Sequence, residues 1–204
     1  MKSVLISIKP YWVFLIIAKI MGWNIDKKKT IEVRKTYPKD SDWNKIGKIY
    51  CTKDKQSFER IPEEYQPLME RYLGKVIGEF VCDYIYENMS YDCKDSCVSV
   101  SDLQKYANSK PLYGWHISEL KIYDEPKELG EFKKAGFLTE EEWLFALYPN
   151  THCHYEAWAK KFEITRPPQS WYYVEEVKEM TCKDCHRGTV KWLNKEAEEN
   201  EQIY

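Results

Sequence analysis

One segment of the chain alternates polar and apolar residues over six positions: Lys29-Thr30-Ile31-Glu32-Val33-Arg34. Successive side chains of a β-strand point to opposite faces, so this pattern predicts a half-buried strand. Thr30, Glu32 and Arg34 would share one face, and the two β-branched residues between them would face the core. We expect the polar face to line a cleft, because a few convergent polar groups beside an apolar core are typical of a binding site.

The residues before this segment predict a strand that is followed at once by a helix. Val4 to Ile8 is a short apolar run with several β-branched residues, which is typical of a buried strand. Pro10 suits the first position of a helix, where a missing N–H has no partner to lose. We expect this helix to run to about Met21 and to end at Gly22, since glycine tolerates the left-handed conformation found after helices.

Short strands interleaved with short helices are predicted for the remainder of the chain. Gly78 indicates a bulge within one strand, and Pro126 indicates a turn over Asp124 to Leu129. Together these elements favour an α+β fold with a small closed or nearly closed β-barrel. The principal predicted elements are strands at Ile46 to Thr52, Val76 to Tyr86, Tyr113 to Tyr123 and Trp171 to Val174, and helices at Ile61 to Tyr72, Ser99 to Tyr106 and Phe137 to Tyr148.

Composition limits the size of the fold and the class of partner. The chain has 204 residues, 43% of them hydrophobic and 31% charged, which is enough for one compact domain with an ordinary solvated surface. Its net charge is −2, whereas proteins that bind long duplex DNA usually have an excess of basic residues. We therefore expect any nucleic acid ligand to be short. The acidic residues near the C-terminus predict a partly flexible extension over 177–204.

Cysteine usage and hydropathy indicate a cytoplasmic protein without a membrane partner. Seven cysteines is an odd number, and no secretory leader is recognisable, so reduced thiols are expected. The longest apolar run near the start, Tyr11 to Ile17, lies between Lys9 and Lys19. It is much shorter than the roughly 20 residues that a membrane-spanning helix needs.

The order of these features resembles the ASCH domain of the PUA-like superfamily, particularly phage and bacterial ASCH-containing proteins. The resemblance depends on Ser7-Ile8-Lys9-Pro10, the helix that follows, and the Lys-x-x-Glu-x-Arg pattern within 29–34. It covers roughly residues 1–176, which we expect to form one domain. It implies a PUA-like small β-barrel with flanking helices and a C-terminal extension, and a cleft beside the first helix for RNA, nucleotides or modified bases. Further similar segments are Gly74 to Phe80, Tyr113 to Asp124 and Ile164 to Val174.

The residues that the resemblance places in the cleft have side chains that are suited to binding a nucleotide. Arg34 offers a planar fork for a phosphate or a base edge, Lys29 a point charge, and Glu32 an acceptor for amines. An ion pair on a solvated strand face is the simpler alternative for these three residues. The full set of expected ligand-binding residues is Lys9, Lys29, Glu32, Arg34, Trp115, His116 and Ser170.

Aromatic residues near the ends of predicted elements are candidates for stacking on a base. The preferred pair is Trp115 and His116, which follow Gly114, a residue that permits close approach of backbones. Trp12 and Trp171 are further candidates. The alternative is that these rings belong to the core, and that Ser170 caps a turn and does not contact a phosphate.

Two other functions compete with a binding module. Some small ASCH proteins resemble amidohydrolases that act on N4-acylated cytidine, which would make Lys29, Thr30 and Glu32 catalytic. Glu32 stands where those enzymes have a threonine nucleophile, so we expect no turnover. The third possibility is a phage protein that acts on a host protein complex through surface contacts alone.

A metal site has weak support. Cys182 and Cys185 have the spacing of half a zinc site, with His186 next to them and His152 and His154 farther away. A single C-x-x-C pair more often consists of reduced surface thiols. We expect neither a metal nor a cofactor.

Overall fold

The computed structural model describes residues 3–39, 45–89, 94–135 and 162–176. The chain divides into two compact units. The larger unit consists of Ser3–Lys127 and Pro167–Tyr172, and the smaller one contains Glu128–Arg166 and Tyr173–Tyr204 with the first two residues. The predicted helix at Phe137 to Tyr148 and the C-terminal extension lie outside the described residues.

The larger unit contains short helices and two sheets. Within its described residues, the helices are α1 (Pro10–Ile17), α2 (Lys55–Phe58), α3 (Gln66–Glu70) and α4 (Val100–Ala107). The strands are β1 (Ser3–Ile8), β2 (Ile31–Arg34), β3 (Lys45–Cys51), β4 (Val76–Cys82), β5 (Ile85–Glu87), β6 (Tyr113–His116) and β7 (Ser118–Lys127).

Neighbouring strands in the larger unit follow the order β7-β4-β3-β1 in one sheet and β2-β6-β5 in the other. Strand β1 is parallel to β3, and the remaining pairs among these strands are antiparallel. This mixture of sheets and helices confirms the α+β class. Closure of the strands into a barrel stays a prediction.

The smaller unit contains a short two-stranded ladder. Strand β8 (Phe132–Lys134) pairs antiparallel with β9 (Trp171–Glu176), with Lys134 opposite Val174. An isolated bridge joins Lys133 to Glu163. The predicted strand at Trp171 to Val174 is therefore confirmed, although β9 begins in the larger unit and ends in the smaller one.

The strand-to-helix start that the sequence predicted is present. All six residues of β1 are buried, and Pro10 occupies the start of α1. The helix ends at Ile17, four residues before the predicted end at Met21. Burial explains the difference, because the side chains of α1 pack on the core as far as Ala18 and become exposed at Lys19. Turns then lead to Gly22, which has a φ of +66°.

Two long predicted strands are each divided in the structure. The segment predicted at Val76 to Tyr86 forms β4 and β5, and the segment predicted at Tyr113 to Tyr123 forms β6 and β7 with a break at Ile117. The predicted turn at Asp124 to Leu129 is wrong at its start, since β7 continues to Lys127. Pro126 is compatible with this because β7 lies at the edge of its sheet among the described strands, and edge strands are where proline is tolerated.

No helix in the described ranges is both long enough and apolar enough to cross a membrane.

Gly78 provides a test of the β4–β7 ladder, whose register shifts on both sides of this residue. A methyl group there would collide with the carbonyl oxygen of Lys121 and lie 3.0 Å from the Ile122 Cα, and neither backbone atom can move aside easily. We expect Gly78→Ala to lower the free energy of unfolding by about 1–3 kcal/mol, measured by urea denaturation.

The control is Gly130→Ala, whose added methyl group meets no atom within 4 Å. It should change the free energy of unfolding by about 0.5 kcal/mol or less. Equal losses for the two variants would show that β4 and β7 do not approach as closely at Gly78 as described.

Candidate functional site

A cavity of about 630 Å³ lies within the larger unit. Its wall contains the end of β1, the start of α1, strand β2, the segment that includes α2, and α4 with the residues just before it. The polar and aromatic residues of this wall include Ser7, Lys9, Trp12, Lys27, Lys29, Glu32, Arg34, Asp54, Ser57, Arg60, Asp102 and Tyr106.

Strand β2 brings two of the three polar residues that alternation assigned to one face to this cavity. Glu32 and Arg34 line it and Thr30 does not, whereas Ile31 joins an apolar cluster with Leu103 and Leu112. Val33 belongs to the same cluster and also reaches the cavity wall. The strand therefore separates a polar wall from an apolar core.

Lys29 is held by three acceptors. Its Nζ donates to the carbonyl oxygen of Ile31 at 2.6 Å and to that of Ser96 at 2.7 Å. The third contact is with the Oε2 atom of Glu32 at 3.3 Å. Because a lysine ammonium group has three donors, these contacts occupy all of them. Lys29 is thus a fixed charge in the cavity wall.

Arg34 connects Glu32 to strand β1. Its Nη2 lies 2.9 Å from the Oε1 atom of Glu32 and donates to the backbone oxygen of Ser7. Glu32 consequently has one oxygen facing each of two cations. Lys29, Glu32 and Arg34 are only 2%, 6% and 7% exposed, so this buried triad replaces the solvated ion pair considered from the sequence.

Burial and the neighbouring carboxylate have opposite effects on the pKa of Lys29. Removal from water lowers its pKa, and the carboxylate of Glu32 partly opposes that shift. The triad has two basic side chains and one acidic side chain, so Glu32 alone does not balance its charge.

Two polar atoms beside the triad have no hydrogen-bond partner among the described residues. They are the Nε of Arg34 and the Oγ of Ser7. Both side chains belong to the cavity wall, and both residues are more than nine-tenths buried. A buried polar group without a partner costs free energy, and such groups mark places where a ligand can supply the missing bond.

Aromatic rings and Arg60 complete the wall. The Lys29 Nζ lies 5.3 Å from the centroid of the Trp12 ring. The guanidinium carbon of Arg60 lies 3.9 Å from the Tyr11 centroid and 5.2 Å from that of Trp12. Tyr106, from α4, is 42% exposed, and burial raises its pKa. Cations over aromatic faces are attracted by the negative charge of the ring face.

Lys9 lies at the more exposed part of the wall. Its Nζ is 3.1 Å from Asp54 Oδ2, and Asp54 also accepts a 2.7 Å hydrogen bond from the backbone of Ser57 at the start of α2. The Ser57 backbone bond and the Lys9 side chain hold the pKa of Asp54 below its ordinary value. Ser57 in turn accepts a hydrogen bond from the Tyr11 backbone at 3.0 Å. These contacts join α2 to the start of α1.

Two predicted site residues, Trp115 and His116, lie on β6 and are not in the cavity wall. Trp115 is 1% exposed, and its Nε1 donates to the backbone oxygen of Thr36 at 3.3 Å. The Nδ1 of His116 lies 2.6 Å from the Oδ1 of Asp83, a contact that lowers the pKa of Asp83. Their roles in ligand binding stay predictions.

Thr30 and Ser170 also lie outside that wall. The backbone N–H of Thr30 donates to Asp95 at 2.9 Å, and its carbonyl oxygen accepts from Ile117 at 2.8 Å. The carbonyl oxygen of Ser170 accepts a 3.2 Å hydrogen bond from the backbone of Ser7. Ser170 therefore contacts a cavity residue through its backbone, and a contact between its hydroxyl and a phosphate stays a prediction.

Sequence reasoning missed several residues of the cavity. Arg60 and Tyr106 belong to no recognisable pattern, and only the folded chain brings α2 and α4 to the same wall as β2. Trp12, a further stacking candidate from the sequence, lines the cavity, whereas the preferred pair of Trp115 and His116 does not. The position of Trp12 just after the predicted helix start was the one available signal that it faces the cleft.

No group of three or more possible metal ligands occurs within the part of the chain that the structure describes. The sequence candidates Cys182 and Cys185 lie outside it.

The buried triad generates a stability prediction. Glu32→Gln keeps the shape of the side chain but leaves Lys29 and Arg34 without their counter-charge, so we expect a loss of about 3 kcal/mol in the free energy of unfolding at neutral pH. The loss should shrink as the pH rises toward 10.5, the ordinary pKa of lysine. A pKa that is lowered in the folded state means that the unfolded chain binds more protons, so stability rises with pH in that range.

Urea denaturation at several pH values measures both effects. The control is Glu59→Gln, which removes one partner of an exposed 3.8 Å pair with Lys55 and should cause no measurable change. A Glu32→Gln variant as stable as the wild type at neutral pH would contradict the importance of the triad.

Comparison with known proteins finds no matching family model and no matching curated protein. Among solved structures, two mutants of ZmASCH from Zymomonas mobilis are similar to this chain, each with a TM-score of 0.48 and 14% sequence identity. The alignments cover 100% and 98% of this chain, and 99% and 94% of those chains. The ASCH from Zymomonas mobilis has a TM-score of 0.40 and 16% identity over 97% of this chain and 92% of its own. All three of these similar structures are ASCH proteins by name.

Proposed function

We propose that the larger unit is a PUA-like binding module that holds RNA or a nucleotide-sized ligand in the cavity beside α1. The observation that carries the proposal is the buried triad of Lys29, Glu32 and Arg34 in the wall of a 630 Å³ cavity. Cavities of roughly 300–1,000 Å³ are typical of small-ligand sites. A fixed set of donors and acceptors in such a cavity is suited to the polar edge of a base or to a phosphate.

The charge of the cavity wall supports an anionic ligand of limited length. Five basic side chains and three carboxylates line it among the described residues. The whole chain nevertheless has a net charge of −2, so the positive charge is local. Binding along an extended duplex depends on many phosphate contacts, and this distribution favours a short strand or a single nucleotide. The basic residues are Lys9, Lys27, Lys29, Arg34 and Arg60, and the acidic ones are Glu32, Asp54 and Asp102.

Aromatic side chains in the wall support a ligand with a planar base. Trp12 is partly exposed, and Tyr106 projects from α4 into the same wall. Unpaired bases stack on such rings and on the plane of an arginine, which Arg60 offers beside Trp12. Stacking by the buried ring of Trp115 would require that ring to be uncovered. We keep His116 and Ser170 as proposed contacts for parts of a ligand that extend beyond the cavity.

Binding is favoured over amide hydrolysis by the positions of the three residues that hydrolysis would use. Lys29 and Glu32 line the cavity, but Thr30 does not. All three donors of the Lys29 ammonium group are engaged, so it holds Glu32 in place and has no free donor for a substrate. A nucleophile and its base must both lie within hydrogen-bond reach of the substrate.

A cytoplasmic setting belongs to the same proposal. Cys51 and Cys82 are reduced, and burial raises the pKa of each thiol to about 12. Thiols of this kind are inert and are typical of a reducing compartment.

Arg60 provides the first test of binding. Arg60→Gln removes a cation that lines the cavity without disturbing the triad, and we expect about tenfold weaker binding of a short single-stranded RNA. Fluorescence anisotropy of a labelled RNA measures the affinity. Arg71→Gln, at an exposed arginine outside the cavity wall, is the matched control and should bind as the wild type does. Equal affinities for all three proteins would contradict binding in this cavity.

N4-acetylcytidine provides the second test. We expect no release of acetate above background during several hours at high protein concentration, because Thr30 lies outside the cavity wall. Chromatography of the nucleoside detects slow conversion. Turnover that disappears in Lys29→Ala would instead establish an amidohydrolase and replace the binding proposal.

A further inference from the structure

The cavity wall contains two hydrogen-bonding groups that have no partner among the described residues. Arg34 donates from Nη2 to Glu32 and to the backbone of Ser7, but its Nε–H has no acceptor among the described residues. The hydroxyl of Ser7 likewise has no partner there. The backbone oxygen of Ser7 is the acceptor for Arg34, so the two residues are already in direct contact.

Burial makes the lack of hydrogen-bond partners costly for these two groups. Ser7 is 8% exposed, and the side chain of Arg34 is 9% exposed. Water elsewhere on a protein surface satisfies such groups, but access to these two is limited. A buried donor without a partner loses the hydrogen bond that it made to water in the unfolded chain. An acceptor brought by a ligand would restore that bond.

Charge decides which acceptor fits best. The neighbouring triad contains two basic groups and one carboxylate, and Glu32 already faces both cations. A neutral carbonyl oxygen would satisfy the donors but would leave the charge of the triad unbalanced. An anionic oxygen satisfies the donors and supplies the second negative charge. Hydrogen bonds between ionised groups are also about twice as strong as those between neutral groups.

We infer that Arg34 Nε and Ser7 Oγ form a subsite for an anionic phosphate oxygen of the ligand. This inference rests on the proposed function, because it names the ligand group that the same cavity recognises. A phosphate monoester and a phosphodiester share the required oxygen, and each would accept from the guanidinium and from the hydroxyl. Glu32 sets the position of Arg34 for this contact and does not itself face the phosphate.

The stability of serine variants shows whether Ser7 differs from an ordinary buried serine. Ser7→Ala removes a hydroxyl that has no partner among the described residues, so the urea midpoint should stay the same or rise. Ser118→Ala makes the same chemical change outside the cavity wall, at a hydroxyl that donates a 2.8 Å hydrogen bond to the backbone oxygen of Val81. The urea midpoint of Ser118→Ala should therefore fall.

Inorganic phosphate is the first probe. Its affinity follows from the rise in the urea midpoint with phosphate concentration, compared with chloride at equal ionic strength. We expect phosphate to stabilise the wild type and Ser118→Ala, and to bind Ser7→Ala about tenfold more weakly, as loss of one hydrogen bond to a charged group implies. Equal phosphate affinities for Ser7→Ala and the wild type, or no stabilisation of the wild type by phosphate, would overturn the subsite.

Nucleotide probes distinguish the source of the oxygen and separate this inference from the proposed function. A nucleoside 5′-monophosphate and its phosphate methyl ester should both bind more tightly than the nucleoside, and both should weaken in Ser7→Ala. Short RNA that binds Ser7→Ala and the wild type equally would overturn the subsite but leave the proposed function standing. Phosphate binding that depends on Ser7, without any binding of RNA or nucleotides, would support the subsite and overturn the proposed function.

Discussion

Glu32 is the charge on which the cavity wall depends, because it separates two buried cations. Without a carboxylate between them, Lys29 and Arg34 would face each other in a region of low polarity. The same residues reach outward to backbone oxygens, Lys29 to Ser96 and Arg34 to Ser7. One carboxylate thus stabilises contacts from β2 to β1 and to the segment before α4. The shape of the cavity and the position of its donors follow from that arrangement.

Much of this site can be predicted from local sequence patterns, because the relevant rules act over a few residues. Alternation places Glu32 and Arg34 opposite Ile31, and the structure confirms that separation. Pro10 fixes the start of α1, and Gly22 adopts the left-handed turn that was expected of it. What alternation does not reveal is whether water covers the polar face. Burial of the triad depends on α4 and on the segment around α2, which lie far away in the sequence.

Residues brought in by distant segments explain most of what the sequence could not predict. Arg60 and Tyr106 have no local pattern, since their place in the cavity depends on how α2 and α4 pack. An aromatic residue beside a glycine occurs both in cores and in binding surfaces. The sequence around Trp115 was therefore compatible with stacking on a base. The structure assigns its ring to the core, since the residue is only 1% exposed. Only tertiary packing distinguishes such alternatives.

The break at Ile117 has a consequence for how the chain can vary in length. One residue separates β6, which pairs with β2, from β7, which pairs with β4. Adding or deleting a residue in a strand turns every later side chain to the opposite face. Because the join is so short, a length change here could not be absorbed before the next ladder begins. An insertion at Ile117 should therefore disturb the start of the β4–β7 ladder directly, whereas loops of ordinary length tolerate insertions.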